Sequence, residues 1–328
     1  MAKEENKETE GQFEGVASLD TEALEGTPVS EIQEESLFAS LEGGGRLHLK
    51  HFFSDKKGPP ILFLHGAIEN GRIFYSRSGK GLAPFLARAG FDCYVGDLRG
   101  RGGSQPAIAR GAEYGQTEAI KDEIPAMARR VRELRGENPQ HWVAHSWGGV
   151  LMASTLVRCP ELISNVASLV FWGTKRTVRS CNPSVFLYIH LIWNRLCPAL
   201  ARVWGYLPAR QLGIGSDNET LGSLRHSVAW VKPSPWVDPV DGFAYGEAAE
   251  TVSLPPAVLF VGGADPALGN PMDVRGFAAE MGSDRCHLVH LARGRGFSRD
   301  YGHIDMLTHP LAVREVFPRA LSWIQDHS

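Results

Sequence analysis

Short apolar runs that each stop at a glycine or a polar residue constrain this chain more than any other feature. Residues 61–64 end at His65-Gly66, 91–95 at Gly96-Asp97, 142–144 at His145-Ser146, and 257–261 at Gly262-Gly263. Runs this short and this apolar suit strands buried on both faces. A further one is read at 167–172. Helical patterns lie between them at 82–89, 118–135 and 148–157, with a last one at 312–325. Gly136 supplies a stop for the second helix, and Pro125 predicts a kink or a later start within it. Strands alternating with helices predict an α/β fold, with a mostly parallel sheet covered on both faces. Residues 37–41 and 46–53, separated by Gly43, Gly44 and Gly45, predict an antiparallel pair at one edge.

In open sheets of this kind ligands bind outside the carboxyl ends of the strands. His65, Asp97, Ser146 and Asp265 all fall just past predicted strand ends. Their shared placement points to one site.

The rest of the chain divides around that sheet. Residues 1–36 hold eleven acidic side chains against two lysines, which leaves the remainder net positive although the whole chain carries −3. This acidic stretch is poor in aromatics and predicts a disordered tail. Residues 37–176 and 255–328 read as two parts of one core. Residues 177–254 are rich in Trp, Pro and long apolar side chains, including Phe186, Leu187, Trp193, Trp204, Trp230 and Trp236. So long a connection predicts an inserted, mainly helical cap over the strand ends, its aromatics facing an apolar chamber.

Near-neutral charge argues against a nucleic-acid partner. The opening residues lack a basic segment followed by an apolar one, so no secretory signal is expected. Cys93, Cys159, Cys181, Cys197 and Cys286 are scattered, odd in number and without CxxC spacing. They suit reduced thiols and a cytoplasmic location. The most apolar stretch, 185–207, contains His190, Asn194, Arg195, Pro198 and Arg202, which makes an integral membrane span unexpected. The twelve histidines show no HExxH-type spacing. His287 and His290 would point to opposite faces of a strand, so no metal is expected.

A serine hydroxyl becomes a nucleophile when a base lies within hydrogen-bond reach and a third group orients that base. Ala144-His145-Ser146-Trp147-Gly148 places Ser146 at a strand-to-helix corner with small residues two places to either side. Such a corner lifts the hydroxyl clear of the chain. Alanine replaces the usual first glycine. The oxyanion formed by attack needs preorganised N–H donors; the amides of Trp147 and Ala67 are the candidates. His65 itself reads as structural. Asp265 and Asp97 compete for the third member of the triad. Asp265 follows Ser146, and the order Ser…Asp…His favours it, with His303 as the base. Asp97 instead suits a loop held by backbone N–H groups. Asp305 reads as structural, or as a second group orienting His303.

On these residues the sequence resembles the α/β-hydrolase superfamily from residue 37 to the C-terminus. The resemblance rests on His65-Gly66, the loop 97–104 (similar to D-x-R-G-x-G-x-S, with Gly103 and Ser104 adjacent), the elbow at Ser146, Asp265 and Gly302-His303. It looks closest to lipase- and esterase-like members with a helical cap. Serine at the elbow argues against the haloalkane dehalogenase and epoxide hydrolase branches, which carry aspartate there. The resemblance implies an α/β-hydrolase fold and acyl transfer to water without a cofactor. The expected substrate is a small molecule, a carboxylic ester with a hydrophobic acyl or alcohol portion. The same constellation also serves amide, thioester and C–C bond hydrolases and cofactor-free haloperoxidase-like enzymes. A hydrolase-fold protein that holds a small ligand without turnover is the alternative of another class.

Overall fold

A computed structural model describes residues 31–55, 58–282 and 285–328. Its centre is an eight-stranded sheet in the order β1-β2-β4-β3-β5-β6-β9-β10. The strands are β1 (Gln33–Ser40), β2 (Arg46–Phe53), β3 (Pro60–Leu64), β4 (Asp92–Gly96), β5 (Gln140–His145), β6 (Val166–Trp172), β9 (Ala257–Gly262) and β10 (Cys286–Leu291). β1 and β2 pair antiparallel, β2 runs antiparallel to β4, and every other pairing is parallel. The parallel strands β3, β4 and β5 are buried along their whole length, as strands covered on both faces must be.

Side chains alternate between the faces with a period of two. Leu62, Leu64, Trp142, Ala144, Leu169 and Phe171 enter one core, against helices Ile124–Arg135, Trp147–Arg158 and Pro271–Glu280. Ile61, Phe63, Val143, Val170, Trp172 and Phe260 enter the other, against helices Leu82–Arg88 and Phe317–Asp326. Trp172 and Phe260 stack there with ring centroids 4.1 Å apart.

Several boundaries differ from the sequence expectations. The tail expected at 1–36 lies mostly outside the described residues, but its end is not tail, since residues 33–36 belong to β1. That strand is largely exposed and held by backbone pairing with β2, so its side chains carry little apolar signal. The helix expected at 118–135 starts at Gln116 and passes through one wide turn, Ala119–Glu123, before Pro125. The last helix is broken at Val316, two residues before Pro318, into Ala312–Glu315 and Phe317–Asp326. Helix Pro271–Glu280 had no counterpart among the expectations.

Residues 173–256 leave the sheet after β6 and return at β9. They hold a continuous helical stretch over 183–204, a two-stranded ribbon of β7 (Tyr206–Leu207) and β8 (Glu219–Thr220), and helices Leu221–Trp230 and Tyr245–Thr251. Polar contacts tie this excursion to the core. Thr117 Oγ1 donates to Asp238 Oδ1 at 2.8 Å, Arg101 is paired with Glu219, and Arg158 pairs with Asp241 at 2.5 Å. The aromatics expected to line a chamber divide in two. Trp230 and Trp236 are buried beside Tyr245 in the core below, whereas Phe186, Leu187 and Trp204 are exposed. Among the described residues no helix is long and apolar enough to cross a membrane.

Candidate active site

The corner at Ser146 is built by close approach. Its φ of 50° lies in the left-handed region, which costs a side-chain-bearing residue free energy unless surrounding contacts impose it. Ser146 N donates to Trp172 O at 2.7 Å, and Thr174 Oγ1 donates to Ser146 O at 3.0 Å. A Cβ on Gly148 would lie 2.5 Å from His65 O, and one on Gly66 would lie 2.9 Å from Ser146 Cβ. Glycine at both positions therefore lets the elbow and the loop after β3 touch. The helix Trp147–Arg158 starts immediately after Ser146, so the Trp147 amide is one of its unpaired first-turn donors.

Asp265 and His303 meet beside that corner. His303 Nδ1 lies 2.6 Å from Asp265 Oδ2, while Asp265 Oδ1 accepts from Leu268 N at 2.9 Å. Burial would raise the Asp265 carboxyl, but His303 and its hydrogen bonds hold it below the ordinary carboxylate value. An ionised carboxylate only accepts, so Nδ1 carries a proton, and in the neutral ring Nε2 then has the lone pair. The acid and base loops are themselves joined by Ala264 N donating to Tyr301 O at 2.8 Å. Gly173, at φ 59°, would place a Cβ 2.9 Å from the His303 ring. The turn at Gly173-Thr174 thus borders His303 on one side and the Ser146 carbonyl on the other.

Asp97, the competing acid, faces away from this cluster. It accepts from Gly71 N at 2.7 Å and Gly103 N at 2.9 Å, and pairs with His48 Nδ1 at 2.8 Å. Its carboxylate binds two loops together behind β4. His65 is fully buried, bonded through Nδ1 to Gly66 O at 2.8 Å and accepting Leu98 N at Nε2 at 3.2 Å. Burial holds it below the usual histidine value, so it is neutral. Asp305 accepts the Gly302 amide and pairs with Arg299 at 2.7 Å, which shapes the His303 loop without touching its ring nitrogens.

Ala67 stands in the loop after β3, half-buried, next to Ile68 at φ 51°. A β-branched residue with positive φ is an outlier that only its surroundings can impose. Here the excursion does so: Asp217 N donates to Ile68 O at 3.1 Å, and Ile68 N points at Glu219 Oε2 at 3.5 Å. Above the elbow, Val178, Val185, Ile189, Val231 and Ala267 form a small apolar cluster that Trp147 packs against. The Trp147 indole is anchored by donation to Gln116 Oε1 at 2.8 Å.

Two further residues belong to this neighbourhood that the sequence did not single out. Glu69 Oε2 lies 2.8 Å from His145 Nδ1 and accepts Gly66 N at 2.8 Å; His145 Nε2 lies 3.0 Å from His303 O. His145 is adjacent to Ser146, which was one available signal. Glu69 lies 76 residues away from it, and nothing local in the sequence connects them.

Comparison with known proteins agrees with this architecture. Residues 59–184 match the family described as the alpha/beta hydrolase fold. The bifunctional epoxide hydrolase 2 of Sus scrofa is 31% identical over 157 residues, 47% of this chain and 25% of that protein. The lysosomal acid lipase/cholesteryl ester hydrolase of Homo sapiens is 25% identical over 142 residues, 41% of this chain and 36% of that one. The chain thus spans only about a quarter to a third of the length of these curated relatives. The carboxylesterase CesB of Bacillus subtilis superposes with a TM-score of 0.54 at 18% identity, covering 90% of this chain and 93% of that one. With its sheet order and the match over residues 59–184, the chain has the α/β-hydrolase fold.

Proposed function

We propose that this protein is a serine hydrolase that cleaves a carboxylic ester through an acyl-enzyme on Ser146. The observation that carries the reading is the 2.6 Å pair of Asp265 and His303 at the same turn that holds the Ser146 carbonyl. In this reading Ser146 Oγ attacks the ester carbonyl carbon as His303 Nε2 takes the hydroxyl proton. Asp265 keeps the Nδ1 proton in place and stabilises the imidazolium that forms. The amides of Ala67 and Trp147 hold the oxyanion. Collapse breaks the ester C–O bond, and the leaving alcohol takes the proton from His303. A water, deprotonated by His303, then attacks the acyl-enzyme and releases the carboxylic acid, returning the proton to Ser146.

Residues 177–254 serve in this reading as a cap over the strand ends. Three features support that role: the bonds from Asp217 and Glu219 to the Ala67 loop, the Arg101–Glu219 pair, and the apolar cluster above Trp147. The apolar roof favours a hydrophobic acyl or alcohol portion. Incubation with an organophosphonate, alongside a p-nitrophenyl ester series of increasing acyl length, tests the reading. Covalent labelling at Ser146 with parallel loss of esterase activity is expected. Labelling elsewhere, or full activity in Ser146→Ala, overturns it.

A further inference from the structure

The two ring nitrogens of His145 both face atoms that accept. Nδ1 lies 2.8 Å from Glu69 Oε2 and Nε2 lies 3.0 Å from the main-chain oxygen of His303. The same Glu69 oxygen also receives the Gly66 amide at 2.8 Å. A neutral imidazole has one N–H and can satisfy only one of these acceptors; an imidazolium satisfies both. The His145 side chain is completely buried and that of Glu69 nearly so, and a buried charge persists only when paired and hydrogen-bonded. Each partner supplies that for the other.

We propose that Glu69 and His145 form a positioning ion pair that locks the oxyanion loop and the His303 loop to the nucleophile elbow. Glu69 fixes the Gly66-Ala67 turn through the Gly66 amide. Protonated His145 fixes the His303 backbone through its carbonyl, and with it the place of the catalytic ring. The inference rests on the serine-hydrolase reading above and adds to it a charge that neither triad nor oxyanion hole contains.

The pair also matters electrostatically. The His145 and His303 rings lie with centroids 4.7 Å apart. When His303 becomes positive in the reaction, it does so beside another imidazolium. Glu69 and Asp265 are the two carboxylates that face this pair of rings, and with them the four groups become balanced as the oxyanion forms. Arg101 is paired with Glu219, and His65, bonded to Gly66 O and Leu98 N, is held by burial below its ordinary value. The directions of titration agree. Burial would raise Glu69, but His145 holds it below its ordinary value; burial would lower His145, but Glu69 holds it above.

The sign of the pH dependence follows. His145, held above the ordinary histidine value by Glu69, loses its proton at higher pH than a free imidazole, releasing one of its two bonds. Turnover then has an alkaline limb set by His145. In Glu69→Gln the anion is gone, so the alkaline limb moves to lower pH.

Glu69→Gln and His145→Gln are each measured for kcat and KM on a short p-nitrophenyl ester across pH, with thermal midpoints alongside. Histidine ring nitrogens are followed by NMR in the unmodified chain. A fall in kcat of about tenfold to a hundredfold with KM changed by less than about threefold is expected, the size that misplacing a reacting group produces. In Glu69→Gln the alkaline limb shifts down. NMR shows His145 doubly protonated at neutral pH. A neutral His145 in that spectrum overturns the proposal whatever the activity. So does an unchanged kcat and alkaline limb in folded Glu69→Gln, or a loss that falls equally on kcat, KM and the thermal midpoint in both variants. These outcomes leave phosphonate labelling at Ser146 intact in the unmodified chain. Absence of that labelling instead removes the hydrolase reading, and the catalytic role of the pair with it.

Discussion

The sheet and the excursion at 173–256 treat apolar side chains in opposite ways. Every large side chain of β3, β5 and β9 is buried, and the polar residues at their tips are bonded into fixed turns. The excursion holds twelve of the nineteen large apolar side chains that the described residues expose, ten of them over 186–214. Phe186 is 65% exposed and Val203 71%. It is held to the core by the buried Trp230, Trp236 and Tyr245 and by charged and polar contacts. The contrast teaches a division of labour. Apolar burial fixes the sheet and the residues at its strand ends, whereas the excursion buries some of its aromatics and leaves an apolar face to solvent.

The sharpest break of this comparison is chemical. Ser146→Ala is expected to lower ester turnover by about 10⁴-fold or more, while the thermal midpoint stays near that of the unmodified chain. A comparable loss from any substitution in 186–214 would place the chemistry in the excursion instead.

Stability separates the regions next. Phe260→Ala removes a fully buried ring stacked on Trp172 and is expected to cost about 3–5 kcal/mol in denaturant unfolding. Phe186→Ser is expected to change stability by less than about 0.5 kcal/mol. Equal costs would mean the exposed face is covered in solution.

The third concerns the seam beneath the Asp97 loop. Glu123 accepts from Arg99 N at 2.8 Å. Burial pushes its carboxyl up to about 7, with Arg99 opposing. In the unfolded chain it titrates near 4.5. Between those values the folded state holds more protons than the unfolded one, so stability contributed here is present below about 4.5 and is lost as pH rises through about 7. Glu123→Gln should therefore raise the unfolding midpoint at pH 8 relative to the unmodified chain, with the difference shrinking toward pH 4.

The smallest effect tests the proposed cap role of the excursion. Leu187→Ser with Leu191→Ser is expected to raise KM for a long-chain p-nitrophenyl ester by a few-fold, about 1 kcal/mol. The acetate ester should be handled as before. An equal change for both would remove the exposed face from substrate selection.

What could be read in the sequence follows the same line. The core strands announce themselves because a parallel strand covered on both faces must be apolar throughout, as at Ile61 to Leu64. The order Ser146, Asp265, His303 was legible because each follows such a strand or a Gly-rich loop, and the structure brings Asp265 and His303 together. The opening of β1 was not, since Gln33, Glu34 and Glu35 join the sheet by backbone bonds that carry no side-chain signature. Helix Pro271–Glu280 was missed because Gly276 interrupts its pattern. The aromatics of the excursion misled because composition cannot tell Trp230, which turns down into the core, from Trp204, which turns out to solvent. Glu69 and His145 escaped because their pairing exists only after β3 and β5 lie side by side.

The backbone at Ser146 has one more consequence. At φ 50° the residue this corner would accept with least strain is glycine, the side chain that can do no chemistry. Ser146→Gly is thus the direction in which thermodynamic relaxation and loss of the hydroxyl coincide. A serine at this corner therefore stands against the preference of its own backbone.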